Sequence, residues 1–80
     1  MYLTYEERLK KIKKPGDEDK QLRLAKSQMM SLRRIARNQE SLADKMLYQG
    51  YEKEAAQVVR QLRLNIFKIE DMLKDQANAL

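Results

Sequence analysis

The chemistry open to this sequence rests on carboxylates and basic nitrogens, because it contains neither histidine nor cysteine. Nucleophilic and general-base constellations need a group that titrates near neutral pH, which leaves a tuned carboxylate or lysine. Eleven of the twelve carboxylates fall as Glu6 with Glu7, Asp17 to Asp19, Glu40 with Asp44, Glu52 with Glu54, and Glu70 with Asp71. Each group has a plain helix role. The i, i+4 pair Glu40 and Asp44 offers oxygen ligands to a divalent cation, but two carboxylates alone make a poor site, and a solvated helix face accounts for them. No glycine-rich phosphate loop is present. The expectation is a non-catalytic protein without metal, cofactor or small-molecule substrate.

The basic residues carry more information. The formal net charge is +5, and residues 1–37 hold eleven Lys or Arg against five Asp or Glu, whereas residues 38–80 hold six against seven. Arg23, Lys26, Arg34 and Arg37 fall on one helical line, with Met30 filling the gap and Arg33 beside them. Such a stripe suits phosphates, where each contact adds salt-dependent and sequence-independent affinity, or the carboxylates of a protein partner. The bland alternative is a solubilising face. Lys10, Lys11, Lys13 and Lys14 form a second cluster near Tyr2 and Tyr5, read as a nucleic-acid arm, a membrane-surface helix or the wet side of a short helix. The membrane version is weakest, because so little apolar bulk binds lipid only marginally.

The elements that must position these residues are helices. Good helix formers dominate the composition, with one proline and two glycines. Thr4 and Glu7 have capping-box spacing, and Tyr2, Tyr5, Leu9 and Ile12 recur at steps of three and four, so a short basic amphipathic helix is predicted over 4–14 within a segment 1–14. Pro15 and Gly16 end it. Asp17, Glu18 and Asp19 complete a linker over 15–19 and favour a helix N-terminus. Helices over about 18–48 and 52–77 follow, within a hairpin 20–80, with Gly50 closing the first in a Schellman motif and Tyr51 packing back on Met46.

The apolar pattern supports a hairpin. Ala25, Met29, Leu32, Ala36, Gln39, Ala43 and Met46 follow a heptad alternation, as do Ala55, Val59, Leu62, Ile66, Ile69, Leu73 and Gln76. If the chain folds back at Gly50, these pair in order, from Met46 with Ala55 to Ala25 with Gln76, and the paired residue numbers add alternately to 101 and 102. Gln39 is then a polar central layer that sets register. A helix-turn-helix reader over Ser41 to Leu62 is disfavoured, since the apolar seam continues far beyond it.

Apolar residues outside the seam, among them Ile35, Leu42, Val58, Phe67 and Met72, would stay wet on an isolated hairpin, and they are the candidate dimer interface. A chain of this length without disulfide or metal ligands gains most from association. The expected fold class is therefore all-α: an antiparallel, coiled-coil-like helical hairpin with a short N-terminal basic helix, pairing into a dimeric four-helix bundle. In architecture such a bundle resembles the Rop-type plasmid copy-number regulators, which bind RNA, although fold does not determine function.

No apolar run reaches the roughly 20 residues that cross a bilayer, and the first residues lack a signal-peptide core, so a cytoplasmic protein without a membrane partner is expected. The leading functional expectation is a small regulator or adaptor, of the compact kind found in phages, plasmids and bacteria. It would act as a homodimer on a larger protein that works on nucleic acid, such as a transcription or replication factor. The candidate partner-binding residues are Arg23, Lys26, Arg33, Arg34, Arg37, Lys10, Lys11, Lys13 and Lys14. Direct DNA or RNA binding by the basic face is the alternative, and a structural assembly or chaperone subunit is a third reading.

Overall fold

A computed structural model describes residues 3–78, with the side chains of 77 and 78 left aside. Tyr2, assigned to the first apolar stripe, lies outside the described residues. The described chain is helical without strands: α1 (Tyr5–Lys10), α2 (Asp17–Arg37) and α3 (Leu42–Asn78). The molecule is a rod 54 × 15 × 15 Å. No described helix is long and apolar enough to cross a membrane.

The capping box at α1 forms as its spacing requires. Glu7 N–H donates to the Thr4 hydroxyl at 3.2 Å, and Thr4 N–H donates to the Glu7 carboxylate at 3.3 Å. The helix stops at Lys10, four residues short of the predicted end. Asp17 explains this, because its Oδ2 accepts from the backbone N–H of Lys13 at 3.1 Å and of Lys14 at 3.2 Å. Those amides are thereby tied to the start of α2 instead of continuing α1. Gly16 makes the bend with φ +100°, a backbone region that favours glycine.

The chain does reverse into an antiparallel hairpin, but the reversal lies at 38–41 and not at Gly50. Asn38 closes α2, and the Gln39 side-chain amide donates to the Ile35 carbonyl at 3.1 Å, satisfying one of the helix's terminal acceptors. Gln39 thus sits in the turn and forms no central layer. Ser41 opens α3, its hydroxyl accepting from Asp44 N–H at 3.5 Å. The predicted helix ends at 48 and 52 are replaced by 37 and 42. Gly50 lies inside α3, where a glycine costs only about 1 kcal/mol relative to alanine, too little to break a run of strong helix formers. With no helix end at Gly50 there is no Schellman motif there, and Tyr51 meets Tyr48 edge-on, ring centroids 5.7 Å apart.

Moving the turn changes the register while keeping the buried faces. Ala25, Leu32 and Ala36 of α2, and Ala55, Val59, Leu62, Ile69 and Leu73 of α3, are buried as the heptad pattern requires. Arg33 now pairs with Glu52, and Glu18 approaches Glu70, so opposed residue numbers add to 85 and 88 instead of 101 and 102. Met46 and Ala43, assigned to seam layers, are exposed. Tyr5, Leu9 and Ile12 of the α1 segment pack against the core formed by Ala25, Val58, Val59, Leu62, Ile69 and Leu73. The first segment is therefore a third packed layer along the hairpin.

Candidate interaction surface

Val58, expected at a dimer interface, is buried within the chain's own core. The other four expected interface residues are exposed, but they do not form one patch. Met72 lines a small cavity with Leu9, Ile12 and Ile69 beside the α1 segment. Ile35 lies on α2 near the turn, on the flank away from the cationic stripe by helical spacing. Leu42 and Phe67 share the outer face of α3, joined there at helical spacing by Met46 and Leu64. These four are 72%, 75%, 61% and 77% exposed respectively. Lys53, Arg60 and Arg63 fall between them along the same helix, and all three are exposed.

The stripe on α2 is present as a surface. Arg23, Arg34 and Arg37 are exposed, while Lys26 and Arg33 are partly covered. Arg33 is held in place: its Nε donates to Glu52 Oε1 at 2.7 Å, and its Nη1 lies 3.8 Å from the Met30 sulfur. Arg33, Arg37 and, from α3, Lys45 line a cavity of about 290 Å³ together with Ala36, Gln49 and Glu52. Lys45 and Gln49 were absent from the sequence candidates. With the reversal placed at Gly50 they belong to the same helix as Arg37, and only the turn at 38–41 brings them across from it.

Lys10, Lys11, Lys13 and Lys14 are exposed, but the structure does not bring them to this stripe. Leu9 and Ile12 line a cavity with Ile69, Leu73 and Gln76. The lysines therefore sit toward the C-terminal end of α3, whereas Arg37 and Lys45 flank the 38–41 turn at the opposite end of the rod.

Two further groupings appear only in three dimensions. Carboxylate oxygens of Glu18, Asp19 and Glu70 lie within 4.8 Å of one another. Glu18 already accepts from Gly16 N–H at 3.0 Å, and Glu18 with Asp19 forms the acidic opening of α2, beside which Glu70 of α3 lies. Glu40 and Asp44, the carboxylate pair noted in the sequence, remain exposed at the turn. The other grouping surrounds Arg8, which is buried with its Nη1 donating to Gln21 at 3.0 Å and its Nη2 to Gln28 at 2.7 Å. Burial pushes the Arg8 pKa below its ordinary value.

Comparison with protein-family models, curated proteins and solved structures finds no match to this chain. The functional argument rests on its surfaces.

Proposed function

We propose that this protein is a small non-catalytic adaptor that binds, and so modulates, a larger protein acting on nucleic acid. The observation that carries this reading is the outer face of α3, where Leu42, Met46, Leu64 and Phe67 stand exposed on the helix. Large apolar side chains aligned on one face favour a partner surface, and aromatic and arginine residues are the types that anchor such interfaces. The intervening Lys53, Arg60 and Arg63 call for an acidic partner.

A second copy of this chain fits the same face less well. Antiparallel pairing would set Leu42 against Phe67 and Met46 against Leu64, but it would also crowd Lys53 and Arg60 of both copies at the centre. Like charges so placed oppose association. The cationic stripe of α2 remains available beside the bound partner, which supports a target that works on nucleic acid.

Affinity capture with mass spectrometry, with and without nuclease, tests the reading. The expected result is a protein that stays bound after nuclease and is lost with the double substitution Leu64→Glu and Phe67→Glu. Recovery of no protein, alongside a strictly salt-dependent nucleic-acid shift, would overturn it. The stripe favours direct DNA or RNA binding as a second reading, under which Arg34→Glu with Arg37→Glu abolishes a gel shift.

A further inference from the structure

The cavity beside the turn has a charge surplus that the fold does not use. Arg33, Arg37 and Lys45 line it against a single carboxylate, Glu52, which leaves two positive charges in excess. Among the described residues, Arg33 with Glu52 is the ion pair formed here. We propose that this cavity binds the terminal phosphomonoester of a nucleic-acid strand. The inference is independent of the apolar face of α3.

The arrangement suits such a group in three respects. First, Glu52 commits only the Nε of Arg33, so its Nη nitrogens retain donor capacity while the guanidinium is held in position. Second, Arg33 and Arg37 are neighbours one turn apart on α2, and Lys45 with Gln49 repeat that spacing on the facing helix. Donors therefore surround the cavity from two sides, with the small Ala36 between them. Third, Lys45 lies in the first turn of α3, where the helix dipole disfavours a cation and favours an anion. Arg37, at the C-terminal end of α2, has a helix-stabilising reason for its place; Lys45 has none.

Charge and surroundings narrow the ligand. A phosphomonoester carries about −1.5 to −2 at pH 7, matching the surplus, whereas an internal phosphodiester carries only about one negative charge. Beyond the cavity, Arg34, Lys26 and Arg23 continue along α2, and Lys26 lies roughly 16 Å from Arg37 at the helical rise. A strand seated by its terminal phosphate could lay its next phosphates along this row. A phosphorylated peptide brings the terminal group but no regularly spaced phosphates to follow this row.

The test compares two single strands of identical sequence, one 5′-phosphorylated and one 5′-hydroxyl, by fluorescence anisotropy on the full chain. The phosphorylated strand should bind roughly tenfold tighter, as expected of charge-assisted contacts. That advantage should vanish in Arg37→Gln and in Lys45→Gln, and persist in Lys68→Gln, which removes the same charge from an exposed position elsewhere on α3. Circular dichroism melting of each variant separates loss of binding from loss of fold, and either cavity variant suffices. Inorganic phosphate should shift the Lys45 and Gln49 amide resonances. Equal affinity for the two strands, or equal loss in Lys68→Gln, would overturn the proposal. A phosphoserine peptide binding as tightly as the phosphorylated strand would overturn its assignment to nucleic acid.

Discussion

Arg8 donates through Nη1 to the side-chain oxygen of Gln21 at 3.0 Å, so a buried cation is held by neutral amides and, among the described residues, forms no ion pair. Its Nε has no hydrogen-bond partner. The bond joins α1 to α2 and, with Nη2 on Gln28, holds the first helix along the hairpin. Replacing Arg8 by Met should leave the buried Gln21 oxygen unpaired and cost about 1–3 kcal/mol. Adding Gln21→Leu should recover most of that loss, because an apolar pair can replace a buried polar one at little net cost. Urea denaturation of the two single variants and the double variant gives the coupling directly. Strictly additive losses would show that the bond does not join the two elements energetically.

The two glycines should respond in opposite directions. A Cβ at Gly50 meets no atom within 4 Å and the residue is helical, so Gly50→Ala should stabilise by about 0.5–1 kcal/mol. Gly16 has equally open surroundings but a φ of +100°, and Gly16→Ala should destabilise by about 1–2 kcal/mol. Thermal melting of the pair locates the reversal of the chain. Destabilisation by Gly50→Ala would return the turn to residue 50.

Leu62 is fully buried at the centre of α3 and packs within the cluster that includes Ala25, Val58 and Val59. Leu62→Ala should cost about 2–5 kcal/mol, the range for cavity-forming substitutions in packed cores. The urea midpoint reads this, and a change below about 1 kcal/mol would contradict the packing described.

Asp17 gives the α1–α2 junction a pH dependence. The backbone N–H of Lys13, and then that of Lys14 and the nearby lysine charges, hold its carboxyl below the ordinary 3.8. An acid whose folded pKa is depressed binds fewer protons in the native state than in the unfolded chain. The stabilisation is therefore present above the unfolded value and is lost as pH falls through the folded one. Asp17→Asn should melt below the parent at neutral pH, and the gap should close progressively in acid. A gap that stays constant down to pH 2 would exclude the carboxylate as its source.

Much of the fold was legible because helix formation depends on local pattern. Thr4 with Glu7 and the 3-4 spacing act within a few positions: the capping box forms, and Ala25, Leu32, Ala36, Ala55, Val59, Leu62, Ile69 and Leu73 are buried, although α1 stops at Lys10 before the Pro15–Gly16 break and Ala43 and Met46 are exposed. The register was not legible, since two heptad stripes can slide past one another by two heptads, about four turns, and still bury apolar residues. Glycine often ends helices, yet inside a run of strong helix formers its cost is small, and Gly50 stays helical. The competing signal, Asn38 and Gln39 closing α2 while Ser41 opens α3, lay in side chains that bond locally to helix ends. Val58 belongs to the core against which Tyr5 and Leu9 of the α1 segment pack, a meeting between elements that spacing along α3 does not reveal.

By itself, then, the amino-acid sequence determined that the chain is all helical, where its apolar faces lie and that one flank of α2 is cationic, because these follow from periodicity along a single element. Tertiary structure decided which residues meet across elements. It buried Arg8 against Gln21, paired Arg33 with Glu52 and brought Lys45 opposite Arg37. The physical reason is that such meetings depend on where the chain reverses, and that point is chosen by small capping energies set against the burial of all three helices together.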